Sequence, residues 1–170
     1  MNELAVTVIG HDRPGIVADV AERLAGLGAN LTDSTMTRLR GHFAMTLVCN
    51  GPDAARVEAA LAPLCADGQL LATVREVRPE AEAAASGEPY VMSVHGADRL
   101  GIVAAVTRVL ATAGGNVTDL TTRLSGTLYV LVAEVELPSG SADAVAVRLA
   151  EVAEELAVDV TLRPADTDLL

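Results

Sequence analysis

The chain repeats itself. Asp12-Arg13-Pro14-Gly15-Ile16-Val17-Ala18 returns 86 positions later as Asp98-Arg99-Leu100-Gly101-Ile102-Val103-Ala104. The agreement runs on through Val20/Val106, Leu24/Leu110, Ala25/Ala111, Gly28/Gly114, Asn30/Asn116, Thr32/Thr118 and Asp33/Asp119. With one residue dropped, Thr37-Arg38-Leu39 and Gly41 then meet Thr122-Arg123-Leu124 and Gly126. A repeat of this length is a duplicated domain, since solenoid units are far shorter. The 170 residues therefore divide into a first domain at 1–78, a linker at 79–89, a second domain at 90–165 and a tail at 166–170. The linker begins and ends on proline and has no strong periodicity.

Each copy reads as the same order of elements. In the first, the β-branched run Leu4–Ile9 predicts a strand closed by Gly10. Pro14 then falls where a helix accepts its first residue, and Ile16, Val20, Leu24 and Leu27 recur at helical spacing before Gly28 ends the helix. Two strands follow, Leu31–Arg40 and Phe43–Asn50, joined by Gly41-His42 as a tight turn. Asn50-Gly51-Pro52-Asp53 opens a second helix carrying Val57, Ala60, Leu61 and Leu64, and a strand over Leu70–Arg78 completes the unit. The second copy predicts strands at Tyr90–His95, Asn116–Leu124, Leu128–Leu137 and Val158–Arg163, with helices at Leu100–Ala113 and Ala142–Leu156. The fold class is thus α+β. Two βαββαβ modules of the ferredoxin-like kind are expected, each an antiparallel sheet with its helices on one face. The bare face and the edges of such sheets need cover, so pairing of the modules and a homodimer are expected.

Composition narrows the function. The formal charge is −11, all basic residues are arginine, and no region is net basic, so direct nucleic-acid binding is not expected. Without lysine there is neither Schiff-base chemistry nor a Walker phosphate loop. Trp is absent and Phe43 is the lone phenylalanine, so the core must be aliphatic. Cys49 and Cys65 are too far apart for a metal-type pair and are expected as free thiols. No Ser-His-Asp, Cys-His or metal cluster appears, and no cofactor or metal is expected. There is no leader pattern at the N-terminus and no apolar run of about 20 residues, which predicts a cytoplasmic protein away from membranes.

The turn from the first strand to the first helix is the most faithfully repeated feature. A glycine-bearing turn into a helix leaves unpaired N–H groups at the positive end of the helix dipole, where a carboxylate or phosphate can sit. His11-Asp12-Arg13-Pro14-Gly15-Ile16-Val17 followed by Gly28-Ala29-Asn30-Leu31 resembles the signature of the ACT domain family of amino-acid-responsive modules. Two such domains with nothing else attached are similar to the glycine cleavage system transcriptional repressor group. The resemblance implies an amino acid held where two domains meet, between this loop of one domain and neighbouring structure of its partner. By position, the ligand residues would be Gly10, His11, Asp12, Arg13, Pro14, Gly15, Ile16, Val17 and Asn30 in the first copy. In the second they would be Gly96, Asp98, Arg99, Gly101, Ile102, Val103 and Asn116, with Leu100 in place of the proline. Serine-binding members show His-x-Asn-Arg-Pro-Gly; here Gly10 and Asp12 stand at the two polar positions. Asp12 and Asp98 suit an ammonium or serve as caps of the first helix.

The function expected is that of a small-molecule sensor, not an enzyme, acting through an unidentified regulatory protein partner and only indirectly on transcription. A non-binding assembly subunit is the alternative. A remote third is an acyl-phosphate hydrolase using Arg13 and Asn30, although the phosphate loop of that class is missing.

Overall fold

A computed structural model describes residues 3–78 and 87–165. Contacts divide the chain into two units between residues 81 and 82. The first unit runs β1 (Glu3–His11), α1 (Ile16–Gly26), β2 (Asn30–Leu39), β3 (His42–Asn50), α2 (Ala54–Leu61), a 3-10 turn at Ala62–Cys65, and β4 (Leu70–Val77). Its sheet has the order β2-β3-β1-β4, antiparallel throughout. Alternation fixes which side the helices cover. Leu4, Val6 and Val8 of β1 and Phe43, Met45, Leu47 and Cys49 of β3 are buried, and they meet Ile16, Val20 and Leu24 of α1 and Val57 and Leu61 of α2. The intervening Ala5, Thr7 and Ile9 face away from the helices. Leu24 is fully buried, so Leu24→Ala would remove about 2–5 kcal/mol of stability.

The second unit repeats this with β5 (Glu88–Ala97), α3 (Ile102–Thr112), β6 (Asn116–Ser125), β7 (Leu128–Leu137), α4 (Ala142–Leu156) and β8 (Val158–Pro164), in the order β6-β7-β5-β8. Its core is Met92, Val94, Ile102, Val106, Leu110, Leu131, Val135, Val145 and Leu149 with their neighbours. No buried side-chain polar atom is left without a partner among the described residues. Both sheets have the expected ferredoxin-like arrangement.

Several expected details are corrected. β5 begins at Glu88, so the last two residues of the expected linker belong to a strand; residues 79–86 and the tail 166–170 lie outside the described residues. Pro14 is not the first residue of α1, which starts at Ile16 behind Gly15. The first hairpin turns at Arg40-Gly41, not Gly41-His42, and His42 opens β3. Both central residues have positive φ, 50° at Arg40 and 84° at Gly41, the twist that two-residue hairpins prefer. Pro63 sits in the expected second helix; its missing N–H and fixed ring end α2 at Leu61 and turn the next residues into 3-10 geometry.

The dropped residue also disappears. The pairs Thr35↔Thr46 and Thr121↔Val132 stand 86 positions apart on both strands, and both hairpins have two-residue turns. Each also carries a bulge at the same place, between Leu31 and Asp33 and between Val117 and Asp119. Thr37-Arg38-Leu39 and Thr122-Arg123-Leu124 are therefore alike in letters and one position out of step in space. A one-residue slip moves a side chain to the other face of the sheet. Arg38, opposite buried Phe43, lies on the helix side; Arg123, opposite Val130, lies on the bare side.

Candidate functional site

β1 and β2 run in the same direction, so the end of β1 lies near the end of β2. Around the β1–α1 turn the structure gathers Gly10–Val17, the hairpin turn Arg40-Gly41, Arg38, His42 and Gln69. The Asp12 N–H donates to the Gly41 carbonyl at 3.0 Å and the His11 N–H to the Gln69 carbonyl at 2.9 Å. Gly10 is required by packing, since a Cβ there would collide with the Gln69 carbonyl oxygen; Gly96 is held against Val158 in the same way.

Gly15 and Gly101 are the N-caps of α1 and α3, both at φ 89°, where a side chain is strained. Neither helix has a side-chain cap. Asp12 and Asp98 therefore do not cap, which settles that half of the sequence-based choice against capping. The first N–H to bond back is that of Asp19, to the Gly15 carbonyl at 2.9 Å, and likewise Ala105 to Gly101. The donors of Ile16, Val17 and Ala18, and of Ile102, Val103 and Ala104, are the first-turn groups that lack an intrahelical partner. Ile16 and Ile102 put their side chains in the core, so each can offer a ligand only its backbone; Val17 and Val103 are partly exposed.

The charged residues of the first loop are already paired. Arg13 donates from Nη2 to Asp19 Oδ2 at 2.8 Å and from Nη1 to the Pro14 carbonyl at 3.2 Å. Arg38 Nη1 approaches Asp12 Oδ2 at 3.4 Å. In the second loop no ion pair involves Asp98 or Arg99 among the described residues, and Leu100 is 99% exposed. His42, which the sequence alone places in a turn, belongs to β3. It stands opposite His11 on the bare face, with the two rings edge to face at 6.5 Å between centroids. Placing the positive φ at Arg40-Gly41 is what would have revealed it.

Asn30 does not join this group. It begins β2, in the row Glu3–Asn50–Asn30, whereas the loop follows the row His11–His42–Leu39. Eight positions of β1 separate the rows, about 26 Å at ~3.3 Å per residue. Asn116, opposite Glu136, is equally remote from the second loop. The Arg13–Asn30 pair of an acyl-phosphate hydrolase is thus not assembled within the domain.

Residues 2–74 and 88–163 each match the family model of the ACT domain. The chain belongs to the ACT-domain family, as a tandem of two. A protein of unknown function from Galdieria sulphuraria has a similar crystal structure, with TM-score 0.81, 32% identity, and coverage of 97% of this chain and 99% of that one. A protein provisionally assigned as a glycine cleavage system transcriptional repressor is similar in fold at TM-score 0.75 and 20% identity, over 98% of both chains. A UPF0237 protein of Methanopyrus kandleri is 50% identical over 48 residues, 28% of this chain and 53% of that protein. The chain spans about half the length of the curated relatives it matches.

Proposed function

We propose that this tandem ACT protein is a cytoplasmic regulatory protein, not an enzyme, that senses a small amino acid or a close analogue at the β1–α1 loop. The observation that carries the reading is the uncapped first turn of α1 behind Gly15 at φ 89°. Those N–H groups and the helix dipole suit a carboxylate. Asp12, held beside Arg38, is turned from a repelling charge into a partly neutralised acceptor for the ligand's ammonium. Pro14 fixes the loop before the ligand arrives, which lowers the ordering cost of binding, so the first copy is the preferred site.

The separation of Asn30 from the loop supports a site completed by a homodimer. β2 is an edge strand exposed almost throughout. If two β2 strands pair about a two-fold axis, antiparallel, the start of one lies beside the end of the other. Asn30 of a second copy then reaches the loop that its own domain holds about 26 Å away. Ligand binding would change this pairing and thereby the contacts with a regulatory protein partner. The net charge of −11 and the similarity to a protein provisionally assigned as a transcriptional repressor favour an indirect effect on transcription over direct DNA binding. The exposed Leu100 in place of the second loop's proline favours the other reading, an assembly subunit, for the second copy.

Thermal shift with the twenty amino acids tests the proposal. A ligand at about a hundred times its Kd should stabilise the protein by ~2.7 kcal/mol. Asn30→Ala should weaken the hit more than Asn116→Ala. No stabilisation by any amino acid would sink the sensor reading in favour of the assembly subunit.

A further inference from the structure

The two domains treat the crevice between their helices differently. In the first, Arg23 of α1 reaches across to α2 and donates from Nη1 to the Ala60 carbonyl at 3.0 Å. The equivalent positions in the second domain are Val109 on α3 and Arg148 on α4. The arginine has thus changed helices, and the reach across the crevice is gone. A cavity of about 300 Å³ takes its place. Val109, Ala113, Ala144 and the nearly buried Val145 give it an apolar lining, while Ser141 and the exposed Arg148 supply polar atoms.

We propose that this cavity binds a small aliphatic carboxylate. Its volume is at the lower end of small-molecule pockets, about 300–1,000 Å³, and suits a short branched chain. Arg148 is the sole basic residue of α4, a helix that also carries Asp143, Glu151, Glu154 and Glu155. Its guanidinium meets Glu151 through Nε at 3.2 Å, one turn along the helix and open to water. Such a pair is weakly held, and the two Nη groups remain as a fork for a second carboxylate. An acid with its tail on Val109 and Ala144 and its head on Arg148 satisfies both halves of the site. In the first domain Arg23 occupies the crevice, so only the second domain binds. The cavity involves neither the β1–α1 turn nor pairing of chains.

The test is a heteronuclear NMR titration of the full chain with isocaproate, and with isocaproamide as the uncharged control. Isocaproate should move the backbone signals of Val109, Ala113 and Ala144, and the amide should bind about tenfold more weakly. Arg148→Gln should bring the acid down to the level of the amide. Glu151→Gln, which removes the competing carboxylate, should tighten binding. Val109→Arg combined with Arg148→Ala, which restores the first domain's pair of residues, should abolish it; if that variant fails to fold, Arg148→Gln decides. Equal binding of acid and amide, indifference to Arg148→Gln, or no movement of these signals would overturn the proposal.

Discussion

Arg40 and Gly126 occupy the same place in the two hairpins, each the first of two turn residues and each at positive φ, 50° and 62°. Only the second copy has the residue that this conformation favours. An L-residue in the left-handed region loses roughly 1–2 kcal/mol, partly offset in glycine by a more flexible unfolded chain. Arg40→Gly should therefore stabilise the first domain by about 0.5–1 kcal/mol. A rise of several degrees in its Tm, at ~4–8 °C per kcal/mol, is the expected reading; a fall would mean the arginine side chain has a role in the turn.

Gly15→Ala and Gly101→Ala have the same backbone to strain, φ 89° in each, and room for a methyl group in each. Each should cost about 1–2 kcal/mol in urea unfolding. Amino-acid binding should suffer with Gly15→Ala alone. Equal loss of binding in both variants would place a working site in each copy.

Met36 faces the helix side of the β2 edge, opposite buried Met45, and is 47% exposed. If β2 carries the dimer contact, Met36→Glu should halve the mass by light scattering, from twice 17.5 kDa to 17.5 kDa, with an unchanged circular dichroism spectrum. An unchanged mass would place the contact elsewhere.

Cys49 is fully buried, and burial raises its thiol pKa above the usual 9.0, whereas Cys65 is only partly covered. A thiol reagent at neutral pH should label Cys65 quickly and Cys49 only on unfolding. Above pH 9.0 the unfolded chain ionises Cys49 while the folded chain retains the proton. Stability is therefore complete below the free-thiol value and declines above it, by up to ~1.4 kcal/mol per pH unit from this group. Cys49→Ala should show a shallower decline between pH 9 and pH 10 than the parent protein, measured by thermal melts.

The duplicated modules were legible because the strands alternate and the helices keep their period: Leu4, Val6 and Val8, and Ile16, Val20 and Leu24, are buried as their spacing predicts. Register was not. The shared letters Thr-Arg-Leu align one residue out of register, since identity of side chains carries no information about which face a strand presents. Pro63 marks the break of the second helix, but the apolar spacing of Leu61 and Leu64 runs on past it and masks that signal. For the site, the loop was legible as a chain segment. Its union with Asn30 was not, because two residues at opposite ends of a sheet look close when only sequence order joins them to one helix.

From β1 through β3 the copies keep a constant step of 86, and from α2 to β4 a constant step of 88. All of the difference lies in the turn between Asn50 and Asp53 and its counterpart between Glu136 and Ser141. The leading parts of the two domains are therefore interchangeable pieces. A piece of β1 to β3 moved from one copy to the matching place in the other keeps every strand register and every inward direction, although the inward side chains themselves differ, as at Phe43/Tyr129 and Leu47/Ala133. One that extends across the step change deletes or inserts residues at a surface turn. Loops, arginines and glycines can thus be transplanted from one copy to the other without a shift of strand register. Either loop can be set on the other domain's strands without moving what holds it in place.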